Sequence, residues 1–144
     1  MANQSFKNHA RFVPLYHYFA STAILALIIG ACINLFDALN KHDGLYSASL
    51  ICLTSVILAI VWLYSRVFAL KAQDRAIRAE ENLRHFAMTG SLLDKRLRMG
   101  QIIALRFASD EEFVELAKKA AEQGLASKDI KAAIQNWRED NYRA

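Results

Sequence analysis

The sequence predicts an all-α protein: a two-helix transmembrane hairpin, its second helix extended into the cytoplasm, followed by three short amphipathic helices. Three observations carry this. Two long apolar stretches, Leu15–Leu39 and Leu45–Leu70, are separated by the polar loop Asn40-Lys41-His42-Asp43-Gly44. Apolar positions then recur at helical spacing with no Gly or Pro before Gly90. Beyond Gly90, three further stretches each carry one apolar face.

The chain divides into a lead-in over 1–14, a hairpin over 15–70 and a cytoplasmic helical part over 71–144. The lead-in is amphipathic, with Phe6, Phe12 and Val13 suited to lipid and Lys7 and Arg11 to headgroups. Pro14 suits the first turn of a helix, where its missing N–H costs nothing. His9 and His17 are eight apart, not the i, i+4 spacing of a helical metal pair, so they read as interfacial histidines.

The first span is free of charge from Ala20 to Phe36, and the second until Arg66. A helix needs roughly 20 apolar residues to cross about 30 Å of hydrocarbon, and both meet that length. Lipid offers no hydrogen bonds, so the backbone must satisfy itself within a helix. Lys7 and Arg11 precede the first span; Arg66, Lys71, Arg75 and Arg78 follow the second; Lys41 in the loop is balanced by Asp43. Positive charge stays inside, which puts both termini in the cytoplasm. Phe12, Tyr16, Tyr18 and Phe19 at one inner end and Trp62, Tyr64 and Phe68 at the other form an aromatic belt at that surface.

Ala26, Gly30, Asn34 and Asp37 share one face of the first span. Ala48, Cys52, Ser55 and Ala59 share one face of the second. Small residues allow close approach and polar ones hydrogen-bond across, so the stripes read as the seam of the hairpin or of an oligomer. The functional alternative is a polar path through an oligomer, built on Gly30, Asn34, Asp37, Cys52 and Ser55. Asp37 sits near the outer end, where water reaches it, which weakens that alternative. Ile28-Ile29-Gly30-Ala31-Cys32 has the outline of a lipoprotein processing site. The apolar run continues past Cys32 and a second span follows, so an uncleaved span is expected. Cys32 lies about 200° around the helix from Gly30, which argues against a disulfide with Cys52.

Past Leu70, Ala72, Ala76, Ala79, Leu83 and Phe86 recur at three and four, a narrow coiled-coil-like seam. A helix from Leu45 to Ala87 is about 65 Å long. Ser91 with Asp94, and Ser109 with Glu112, read as capping boxes opening helices to Ala108 and to Gly124. A last helix runs from Ser127 or Lys128 to Asn141. The apolar faces are Leu93, Leu97, Ala104 and Phe107; Phe113, Leu116, Ala117 and Ala120; and Ile130, Ala133, Ile134 and Trp137.

The chain is 54% hydrophobic yet 22% charged, which suits a membrane hairpin carrying a charged soluble part. Residues 71–144 mix 14 Lys/Arg with 12 Asp/Glu, not the one-sided basic stripe of a nucleic-acid binder. No Gly-rich phosphate loop, HExxH or paired-Cys motif occurs, so no cofactor, no metal and no enzyme activity is expected. Asp110-Glu111-Glu112 suits a positive helix start. Arg84, His85, Lys95, Arg96 and Arg98 flank the turn at Thr89-Gly90 and could meet headgroups or an acidic partner.

Lys7-Asn8-His9-Ala10-Arg11-Phe12 and Gln101-Ile102-Ile103-Ala104-Leu105-Arg106-Phe107-Ala108-Ser109-Asp110-Glu111-Glu112-Phe113 together resemble a family of small bacterial membrane proteins of unknown function, built from an N-terminal block, two spans and a helical cytoplasmic end. The resemblance implies a bacterial plasma-membrane address and supplies no site residues. The expectation is therefore a membrane-anchored interaction or scaffold protein. Its partners are the lipid bilayer and either its own copies or a membrane-associated protein. Candidate contacts are Leu83, Phe86, Phe107, Phe113 and Trp137, with Lys95, Arg96 and Arg98 setting orientation. The alternative is a subunit of a homo-oligomeric channel or transporter with Asn34 and Asp37 on a polar path.

Overall fold

The structure is a computed structural model and describes residues 13–140. The lead-in residues Phe6, Lys7, His9, Arg11 and Phe12 lie outside the described residues, as does Asn141, the expected end of the last helix. The described chain is helical and has no strand; Ala108 and Trp137 form an isolated antiparallel bridge. A π-helical turn, Leu15–Ala20, runs directly into α1, Ser21–Lys41; then come α2, Leu45–Thr89, α3, Met99–Leu105, α4, Asp110–Gln123, and α5, Ser127–Ala133. Contacts divide the chain into two compact units, one ending at Phe68 and one beginning at Ala69, and α2 contributes to both.

In the first unit, the π turn begins where Pro14 leaves off. The Tyr16 and His17 amides both donate to the Val13 carbonyl, at 3.1 and 2.8 Å. The Ser21 and Thr22 hydroxyls donate back to the His17 and Tyr18 carbonyls four residues earlier, where the π turn passes into α1. α1 ends at His42, whose φ of +53° is left-handed, and Gly44 at +65° completes the reversal into α2. Two helices here, Leu15–Lys41 with its π turn and Leu45–Thr89, are long and apolar enough to cross a membrane.

The covered positions of these helices follow heptad-like rows. On α1 they are Ser21, Ile24, Ile28, Ala31, Leu35 and Ala38; on α2, Ala48, Cys52, Ser55, Ala59, Trp62 and Arg66. Ala31, Ala38, Ala48 and Ser55 are buried. Small side chains at these places let two backbones lie close. Tyr16 closes the far end, stacking on Trp62 with ring centroids 5.4 Å apart and reaching Ser65 Oγ at 3.1 Å.

In the second unit, the core is Ile77 of α2 with Leu93, Leu97, Ile102, Leu105, Phe107, Phe113, Leu116, Ile130 and Ile134, joined by buried alanines. Three glycine sites, two of positive φ and one closely packed, shape it. Gly90 (φ +73°) ends α2, its amide donating to the Phe86 carbonyl at 2.8 Å, and Gly124 (φ +63°) ends α4. A Cβ on Gly100 would meet Ser127 Oγ at 2.9 Å, so glycine is what lets α5 begin against α3.

Two helices are shorter than the sequence suggests. The expected helix from Ser91 to Ala108 is only Met99–Leu105. Asp94 does not back a cap at Ser91: its carboxylate turns forward to accept the Arg96 amide at 2.9 Å, while its carbonyl takes the Leu97 amide at 3.0 Å. From that turn both Leu93 and Leu97 reach the core. The side chain that reaches back over the α3 start is Gln101, accepting the Arg98 amide at 2.7 Å.

The last helix stops at Ala133. Glu112 does not pair with Ser109 as a box; its two oxygens accept the Gln135 and Asn136 amides, each at 3.0 Å. Those amides are taken from any continuing helix. The extended chain then bridges Ala108, with the Arg138 amide on the Phe107 carbonyl at 2.8 Å and Trp137 over Phe107 at 5.1 Å.

Candidate interaction surfaces

The five residues expected on one intramembrane polar face are split between two. Cys52 is half-buried and Ser55 fully buried on the α2 row, with Ser55 Oγ donating to the Cys52 carbonyl at 2.7 Å. Gly30, Asn34 and Asp37 are exposed on α1, as is Ala26. A Cβ on Gly30 would meet nothing within 4 Å. The stripe on α1 is therefore not the counterpart of the stripe on α2; Ala31 and Ala38 are. Asp37 pairs with Lys41 at 3.6 Å, both side chains more than half exposed. Such a pair contributes little.

The basic group at the α2 end also separates. Arg84 is a core residue. Its guanidinium reaches Glu81 at 3.0 Å, Asp110 at 2.6 Å and the Ala108 carbonyl at 2.8 Å, and it lies 4.2 Å over the Phe113 ring. His85 Nδ1 lies 2.7 Å from the Ser91 carbonyl, inside the turn. Arg96 pairs with Asp94 at 2.7 Å, and the Arg96 side chain pulls the Asp94 carboxyl down to about 2. Lys95, Arg96 and Arg98 are exposed.

Of the expected contact residues, Phe107 and Phe113 are buried in the core and Trp137 covers it, so they are not free to meet a partner in this state. Leu83 and Phe86 are 68% and 51% exposed. The rest of their row, Ala72, Ala76 and Ala79, is exposed too. The acidic run is occupied within the unit: Asp110 holds Arg84, and Glu112 holds the backbone before Trp137. The neighbouring Ser109 hydroxyl and its own backbone amide hold Glu111 below the usual carboxylate range. Among the described residues, no three His, Cys, Asp or Glu side chains converge to hold a metal ion.

Sequence reasoning missed a cleft of about 360 Å³ lined by Ile77, Glu80, Glu81, Arg106, Arg138, Glu139 and Asp140. Arg106 pairs there with Asp140 at 2.9 Å. Four carboxylates and two guanidiniums line it, so charge of both signs is present. It also missed the Arg84 cluster, for which the i, i+3 pair Glu81/Arg84 was the one local signal.

Over residues 1–144 the chain matches a family described as a family of unknown function, DUF6526. No curated protein and no solved structure matches it.

Proposed function

Because the chain belongs to this family of unknown function, whose description assigns no activity, we propose from its geometry that it is a membrane-anchored helical interaction or scaffold protein that associates with itself. One observation carries the reading. Helices long and apolar enough to cross a membrane leave Leu25, Ile29, Ile33, Phe36, Leu53, Ile57 and Val61 half or more exposed. A continuous apolar girdle of this kind is stable against lipid and a liability in water. The unit from Ala69 onward has its own sealed core and presents exposed polar and apolar rows to partners.

The two helices form a hairpin in the bacterial plasma membrane, with both termini and the α3–α5 unit in the cytoplasm. The bias of Lys and Arg to the flanks of the spans supports this orientation. Single cysteines in a Cys32→Ala/Cys52→Ala background test it. Asp43→Cys is expected to react with an impermeant maleimide in intact cells, and Lys128→Cys only after permeabilisation. The reverse pattern overturns the orientation, and equal labelling of both overturns the hairpin.

A second reading, a subunit of a homo-oligomeric channel, has one observation in its favour: Gly30, Asn34 and Asp37 face away from the α2 row, where neighbouring copies could gather them on one axis. It requires ion flux in liposomes that Asp37→Asn changes; liposomes without flux remove it.

A further inference from the structure

We propose that Ala72, Ala76, Ala79, Leu83 and Phe86 form the seam of a parallel two-stranded coil with a second copy of this chain. The proposal rests on the self-associating, membrane-anchored reading above. The residues recur at intervals of four, three, four and three, the spacing of d and a positions in successive heptads. All five are exposed, and Leu83 and Phe86 are large apolar side chains left in the open. The row lies well away from the face of α2 that carries Ile77, Glu81 and Arg84 into the core, since 100° per residue separates the two sets by about 145°. A partner helix can therefore lie on the seam without displacing α3–α5.

The occupant is a second copy because the flanking charges are self-complementary. With Ala72, Ala79 and Phe86 at d, Arg75 falls at g and Glu80 at the following e. Both are exposed. In a parallel pair, g of one helix faces e of the next heptad of the other, so Arg75 meets the partner's Glu80, and the two-fold axis repeats the pair. An antiparallel pairing centred on Ala79 sets Glu80 beside the partner's Glu80 instead. Copies held in one membrane with one orientation can only pair in parallel. Two heptads are a short seam, but α2 is already ordered by its own unit, and confinement to a membrane raises the effective concentration. Alanines at three of the five places let the backbones come close.

The full chain in its native membrane tests this, again in the Cys32→Ala/Cys52→Ala background. A disulfide needs Cα atoms within about 7 Å, which equivalent d positions of a parallel coil provide. Mild oxidation of Ala79→Cys is expected to give about tenfold more disulfide-linked dimer than Arg78→Cys, which lies off the seam. Adding Arg75→Glu should cut the Ala79→Cys dimer several-fold, and Arg75→Glu with Glu80→Arg should restore it. Equal linking at positions 78 and 79, or no rescue by the charge exchange, overturns the coil. Particle mass in mild detergent, with detergent subtracted, separates the two failures. A multimer without the Ala79→Cys linkage keeps the self-associating reading and removes the coil; a monomer removes both.

Discussion

Arg84 shows how little a residue's type says about its task. In the sequence it belongs to a basic run beside a turn. In the fold its side chain is 11% exposed and ties α2 to the start of α4 through Glu81, Asp110 and the face of Phe113. Without Arg84 the Glu81 carboxylate, 7% exposed, is left buried and unpaired, which is the expensive case. Phe113 beneath Arg84 is fully buried. Phe113→Ala is expected to destabilise the second unit by about 3–5 kcal/mol, the cost of a large cavity, read as a lower denaturation midpoint of the full chain in detergent. An unchanged midpoint would return Phe113 to the list of contact residues. Leu83 and Phe86 invite the opposite expectation. Their exposure means that truncation costs the fold little, so their effect belongs to association.

At the scale of elements, long periodic rows were legible and short helices were not. The reading of one helix from Leu45 past Ala87 holds, since no glycine or proline interrupts it and Gly90 supplies the stop. The α2 row Ala48, Cys52, Ser55 and Ala59 is indeed covered. On α1 the polar stripe is not the covered row, because two rows compete. One gathers Gly30, Asn34 and Asp37; the other gathers Ile24, Ile28, Ala31, Leu35 and Ala38. Small polar residues look like a seam, yet lipid and seam both accept Ile and Leu, so hydrophobicity cannot rank the rows. The early end of α5 has a different cause. Glu112 captures amides 23 and 24 residues downstream, a contact that no local pattern encodes. Glu112→Ala should therefore free the Gln135 and Asn136 amides, and loss of about 1–2 kcal/mol of hydrogen bonding speeds their hydrogen exchange about tenfold or more. Unchanged exchange at both amides would mean that Trp137 packing alone holds this segment.

For the whole molecule, the all-α class followed from composition and period, because apolar rows long enough to cross a membrane leave few other solutions. The surfaces did not follow, since Phe107, Phe113 and Trp137 have the residue types of an interface and the burial of a core. One consequence of the architecture is optical. The chain has two tryptophans, Trp62 in the first unit, stacked on Tyr16, and Trp137 in the second, laid over Phe107. Each half of the protein thus carries its own native fluorophore. With Trp137→Phe the remaining emission reports the two helices long and apolar enough to cross a membrane, and quenching by brominated acyl chains tests whether they meet lipid. With Trp62→Phe it follows the closing of the chain's final segment onto its core.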